Sequence, residues 1–256
     1  MARYSKIGVI GSGTIGTEII EHILRATELE LAFVLVSSAD STTRPDLPAG
    51  VVTTDAEEAL ATPVDLVIEA AVPGVLADLA PRFLEGADVC GFSCTALADP
   101  AIEQAVRHAC AASGHAFYVP HGAILALDGI ADGRALLENV TVTTSKSGPS
   151  LGIGEDASGI LFEGPAREVC ARFPRNVNVH AAIALAGLGF DRTVSRVVAV
   201  PGLKTMQHHV EVKGQGLEWD IRVSSRSLGG ITGAYTPQSA LGSIDRLLGG
   251  SGIVVA

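Results

Sequence analysis

Apolar residues recur along this chain in two rhythms, and the rhythm changes near residue 120. In the first half, Ile7, Val9 and Ile10 form a short β-branched run, the composition of a buried strand. Behind a glycine-rich stretch, Ile15, Ile19, Ile20 and Ile23 follow at helical spacing. Further strands are predicted over 31–36, 65–71, 87–92 and 115–119, with a short one at Val51 and Val52. Helices are predicted over 55–60, 75–84 and 100–113, the last opened by Pro100 in its first turn. A strand-helix alternation repeated about five times predicts an α/β fold, a Rossmann-type doubly wound parallel sheet.

Beyond residue 120 the pattern is mixed. Pro120 to Gly129 reads as a loop entering a helix, and Val140 to Ser145 alternates with period two, as an antiparallel strand does. Gly148 to Gly159 is glycine-rich and loop-like. Helices are predicted over 166–172 and 178–186, strands over 196–200, 208–213 and 218–224, and a last helix over 239–248. The organisation expected is a dinucleotide-binding domain at 1–120 and a smaller α+β substrate and dimerisation domain with an open mixed sheet at 121–238. A C-terminal helix at 239–256 then returns to the first domain. By analogy of fold, such an open sheet offers a face to a second copy, so a homodimer is expected.

Composition narrows the function. A formal net charge of -10, with no Lys/Arg cluster, argues against a nucleic-acid partner. No apolar run reaches the length of a membrane span, and with a strand beginning by Ile7 no signal peptide is expected. Cys90, Cys94, Cys110 and Cys170 show no zinc-like pairing, so no metal is expected and the thiols read as those of a cytoplasmic protein.

The candidate chemistry starts at Ile10-Gly-Ser-Gly-Thr-Ile-Gly16, between the first strand and the first helix. That is the context a dinucleotide fingerprint requires. Gly11 permits the tight turn, Gly13 lets backbone N–H groups approach a pyrophosphate, and Gly16 lets helix and strand pack closely. Ser12, Thr14 and Ile15 complete the loop, and the helix N-terminus faces the phosphate charge. An acidic residue at the second strand's end would select NAD. Here that end reads Ser37-Ser38-Ala39-Asp40, with the carboxylate late and small hydroxyls able to receive a 2′-phosphate, so the cofactor expected is NAD or NADP. The other strand ends, Ala71-Val72 and Ser93-Cys94, are candidate nicotinamide contacts.

The second half must supply proton transfer and hold the substrate. Gln207-His208-His209 opens a strand, and alternation puts His208 with Val210 and His209 with Glu211 on opposite faces. Pattern alone leaves the choice between the two histidines open. Asn176 and Asn178 flank a helix start, as caps or as amide contacts to a ligand. Lys146 is a candidate anchor for a substrate carboxylate, and His121, near Asp128, is a further candidate at the substrate.

These residues sit in segments that resemble the L-aspartate dehydrogenase family along the whole chain. The segments are Ile10 to Gly16, Val67-Ile-Glu-Ala-Ala71, Gly122 to Asp128, Phe162-Glu-Gly-Pro-Ala-Arg-Glu168, Phe173-Pro-Arg-Asn-Val-Asn-Val179 and Leu185 to Thr193. The resemblance implies NAD(P)-dependent oxidative deamination of L-aspartate to iminoaspartate, then oxaloacetate and ammonia. It places the family's catalytic histidine seven residues after Pro201, at His208, and a nicotinamide or substrate contact at Asn178. The chain departs from the family pattern at Val200, at Met206, around Lys146 (the one residue kept of the family's Arg-Lys-Pro-Pro stretch) and at Ala234 to Ser239. These departures keep two alternatives open: an imine reductase or amine dehydrogenase on another amino acid or cyclic imine, and a catalytically silent NAD(P) sensor.

Overall fold

The computed structural model describes residues 3–38, 47–227 and 233–249. Asp40 lies outside the described residues. Contacts group the chain into two units. The first runs to Ser93, resumes over Ala101–Pro120 and takes in the chain from Ala240. The second comprises Cys94–Pro100 and His121–Ser239.

The first unit is built on β1 (Lys6–Ile10), α1 (Thr14–Arg25), β2 (Glu30–Leu35), β3 (Val52–Thr53), α2 (Ala56–Ala61), β4 (Leu66–Glu69), α3 (Pro73–Phe83), β5 (Asp88–Gly91), α4 (Pro100–Ser113) and β6 (Phe117–Tyr118). The strands run in the order β3-β2-β1-β4-β5-β6, all parallel. The order reverses between β1 and β4, and ligands of such sheets bind beside that point, at the carboxyl ends of the strands. The core follows the predicted rhythm: Ile7 and Val9 of β1, Ile19, Ile20 and Ile23 of α1, and Leu66 and Ile68 of β4 bury together. Asp55 caps α2 by accepting from Glu57 N–H, and Pro73 opens α3. The strand predicted over 115–119 is only Phe117–Tyr118, because the Ala116 N–H is taken by the Asp88 carboxylate instead of a ladder partner.

The second unit contains α5 (Leu127–Asp132), β7 (Leu137–Lys146), β8 (Gly159–Pro165), α6 (Ala166–Arg172), α7 (Asn178–Ala186), β9 (Val194–Ala199), β10 (Thr205–Gly214) and β11 (Leu217–Arg226). The last helix, α8 (Tyr235–Leu248), brings Ala240 and Ile244 into the first unit's core. The five-stranded sheet has the order β11-β10-β7-β9-β8, with β7 and β9 parallel and the other pairs antiparallel. Strand β8 falls where the sequence pattern shows no element. It is an edge strand whose residues are half-buried or exposed, with a register irregularity between Ile160 and Phe162, so no apolar alternation marks it. Among the described residues no helix is long and apolar enough to cross a membrane.

Two glycines of the β1–α1 turn are fixed by space. Gly11 has φ +95, where L side chains are strained, and a Cβ there would lie 2.7 Å from the Ala70 carbonyl oxygen. A Cβ on Gly16 would lie 2.2 Å from the Gly11 carbonyl oxygen. The backbone cannot yield as a flexible side chain would, so Gly16→Ala is expected to lower the unfolding free energy by about 1–3 kcal/mol, measured by chemical denaturation. An unchanged midpoint would contradict this packing.

Candidate functional site

In the first unit, a cleft of about 620 Å³ opens at the carboxyl ends of β1, β2 and β4. Gly11, Ser12, Gly13, Ser37, Ala71 and Val72 line it. Gly13 caps α1 without a side chain, and space stands open where its Cβ would be, so a ligand can approach the first N–H groups of the helix. Thr14, Ile15, Gly16 and Ser38 are not among its lining residues. Asp78 of α3 is, although no turn or strand signal marks it in the sequence.

The rim is held by a carboxylate taken out of water. Glu69, at the end of β4, is 1% exposed. Its Oε1 accepts from Ala71 N–H at 2.8 Å and from the Ser93 hydroxyl at 2.8 Å, and its Oε2 accepts from Ser93 N–H at 3.0 Å. Burial raises its pKa above the ordinary carboxyl value, while these donors oppose the rise. One side chain thus fixes the turns after β4 and β5. Ser93 is therefore engaged by Glu69, and Cys94 is buried at the start of a 3-10 turn, Cys94–Ala98.

The second unit gathers its polar residues by alternation. On β7, Val140, Val142, Thr144 and Lys146 point inward; on β10, Met206, His208, Val210 and Val212 do. Register sets His208 directly opposite Thr144 and Val210 opposite Val142. Helix α7 adds His180. The Thr144 hydroxyl oxygen lies 2.7 Å from His180 Nε2 and 2.9 Å from His208 Nδ1. His180 and Thr144 are fully buried, and His208 is 5% exposed. His180 Nδ1 has no hydrogen-bond partner among the described residues. His209 falls on the other face, where its Nε2 lies 3.0 Å from Asp220 Oδ2.

Lys146 is buried rather than solvated, at 3% exposure. Its Nζ donates to Asn176 Oδ1 at 3.2 Å and to the Asn176 carbonyl at 3.4 Å. Burial pushes the Lys146 pKa down to about 8. Neither asparagine caps α7, whose N-cap is Val177. Asn178 Oδ1 instead accepts from Thr95 N–H at 3.2 Å, and the Thr95 hydroxyl donates to the Pro174 carbonyl at 2.7 Å, tying the 3-10 turn to the segment before α7. His121 Nε2 lies 3.6 Å from Asp128 Oδ1. Among the described residues no cluster of three or more His, Cys, Asp or Glu side chains suits a metal. Thr144 and His180 are the members of the cluster that pattern reading passes over. The signal for Thr144 is there in hindsight, since it shares the inward phase of Val142 and Lys146.

Burial pushes the pKa of both His180 and His208 down to about 3, and the Lys146 ammonium further opposes a second positive charge. In the unfolded chain an imidazole titrates near 6.5. Below that pH the unfolded state binds more protons than the folded one, so stability falls as pH drops from about 6.5 towards 3. Most carboxylates stay ionised over the upper part of this window, which isolates the histidines. Denaturation at pH 6.5 and about 5 is expected to show the loss, with a shallower slope in His180→Gln. Equal slopes would contradict burial of a neutral His180 ring.

Comparison with known proteins places the chain. Residues 128–247 match the family described as aspartate dehydrogenase, C-terminal, and residues 11–120 match the NAD binding domain of homoserine dehydrogenase. The chain is 36% identical to an L-aspartate dehydrogenase of Methanosarcina barkeri, over 86% of this chain and 88% of that one. It is 32% identical to L-aspartate dehydrogenase 1 of Bordetella pertussis, over 93% and 96% of the two chains. The crystal structure of aspartate dehydrogenase from Thermotoga maritima shares the fold, with a TM-score of 0.78 at 23% identity over 98% and 99% of the two chains. On identity and coverage together, this chain belongs to the L-aspartate dehydrogenase family.

Proposed function

We propose that this chain is an NAD(P)-dependent dehydrogenase that deaminates L-aspartate to iminoaspartate, which water converts to oxaloacetate and ammonia, and that also runs in reverse. The observation that carries the reading is the inward row of Lys146, Thr144 and His208 in a chain of this family. Gly11, Ser12, Gly13, Thr14, Ile15 and Gly16 would hold the dinucleotide's pyrophosphate, Ser37 and Ser38 its adenosine ribose, and Ala71, Val72, Ser93, Cys94 and Asn178 its nicotinamide half. The open Cβ space at Gly13 and an α1 N-terminus that no side chain caps fit such a ligand. When bound, the dinucleotide supplies the hydride acceptor for the carbon that bears the amine.

The chain's own residues do the rest. Lys146 holds a substrate carboxylate by a charge-assisted hydrogen bond. Asn178 and His121 contact the substrate, and His208 acts at the oxygen of the water that adds to the imine carbon. A dianionic substrate offsets the Lys146 charge and makes the His208 ring more basic than in the free enzyme. We further propose a cytoplasmic homodimer. Its four free cysteines fit a reducing compartment. Trp219, Ile221 and Val223 of β11 are only half-buried in one copy, which supports pairing through that sheet; sedimentation decides this.

Steady-state assay with L-aspartate and a panel of amino acids, with each dinucleotide, is the central test. Turnover of another amino acid alone would replace the substrate, and no turnover of any would overturn the reading. His208→Ala is expected to lower kcat by about 10² to 10⁴ with dinucleotide affinity unchanged. Lys146→Met is expected to raise KM for L-aspartate roughly 10- to 100-fold, the loss of one charge-assisted hydrogen bond. In the parent enzyme, kcat/KM should fall as pH rises through about 8, where Lys146 loses its charge.

A further inference from the structure

We infer that Thr144 and His180 are positioning residues that fix the tautomer of His208, so that Nε2 rather than Nδ1 carries its proton. The inference rests on the role proposed above for His208 and extends it to two residues that touch no substrate.

The Thr144 hydroxyl has one hydrogen and lies between two ring nitrogens, 2.7 Å from His180 Nε2 and 2.9 Å from His208 Nδ1. Each neutral imidazole has one N–H and one lone pair. Both rings are buried, and Lys146 is the positive charge acting on both, so neither carries an extra proton at neutral pH. The hydroxyl oxygen could also accept from both rings, but its own hydrogen would then be buried with no acceptor among the described residues, so two arrangements satisfy both contacts and the hydroxyl. In the first, His180 Nε2–H donates to the Thr144 oxygen and the Thr144 hydroxyl donates to His208 Nδ1. In the second, both directions reverse.

The two differ at His180 Nδ1, which is buried and has no partner among the described residues. The first leaves a lone pair there; the second leaves an N–H. A buried N–H without an acceptor is the rarer and more costly defect. The first arrangement therefore holds. Hydrogen bonds run one way, from His180 through Thr144 to His208, and end on Nδ1. That leaves Nε2–H as the outward group of His208. A neutral imidazole N–H can polarise a carbonyl or stabilise a developing alkoxide without first gaining a proton. It would hold the oxygen of the hydrated imine while the hydroxyl proton passes to the amine, the C–N bond breaks, the C=O bond forms and ammonia leaves.

The test is a two-bond proton–nitrogen correlation spectrum of the full chain with nitrogen-15 histidine, near pH 7.5, with the His208 signals assigned from His208→Gln. Nε2–H is expected for both His208 and His180. An Nδ1–H signal for either ring overturns the inference. Thr144→Val is expected to lower kcat roughly tenfold or more with KM little changed, since a histidine held in the wrong tautomer loses up to ~10⁴ in kcat. Thr144→Ser, which keeps the hydroxyl, should restore most of it. An unchanged kcat in Thr144→Val would overturn the positioning role. If that variant fails to fold, the spectrum of the parent protein still decides. The spectrum needs no substrate, so an enzyme inactive on L-aspartate leaves this inference standing and sinks only the proposed function.

Discussion

Lys146, His180 and His208 are removed from water, and the second unit is arranged around meeting that demand. A buried polar group without a partner costs about 1–3 kcal/mol, and more if charged. The unit answers with one threonine hydroxyl between two rings and one asparagine offering both its oxygens to the lysine. Period-two alternation alone would have placed valines at these positions. Polar side chains in that phase therefore interrupt an otherwise apolar face, and only local pairing makes their burial tolerable. The electrostatic result is a pair of imidazoles kept neutral beside an ammonium that is itself close to losing its proton near pH 8.

The first unit meets a different constraint, close approach of backbone to backbone. Gly16 sits against the Gly11 carbonyl, and Gly11 against Ala70, so the turn after β1 and the strand end of β4 are in contact with no side chain between them. Glu69 then locks the neighbouring turns from beneath. The part of the cleft at the glycine turn is thus fixed backbone, which suits recognition through N–H groups rather than through mobile side chains.

The regular parts of this structure could be read from the chain. The β-branched runs and helical isoleucines placed β1, α1 and β4 within a few residues, and Pro100 placed the start of α4, because β1 and β4 are buried on both faces and α1 on one. What escaped has physical causes. Strand β8 lies at an edge and buries little, so its composition is not constrained to alternate. Of the two readings of Asn176 and Asn178, capping gives way to long-range partners, Lys146 and Thr95, that no local pattern encodes. His208 could be separated from His209 by phase but not chosen until the family resemblance pointed to it. The tie to His180 runs from a strand to a helix and has no signature in sequence spacing.

The division of the chain has a consequence for how the molecule comes into being. The path changes unit after residues 93, 100, 120 and 239, so neither unit is a continuous stretch of polypeptide. The first unit's core takes Ala240 and Ile244 from the last helix. During synthesis, the glycine loop and its sheet leave the ribosome long before those two residues do. The nucleotide-binding half therefore cannot complete its core until the chain has emerged through Ile244, and the usual order of N-terminal domain first does not apply to it.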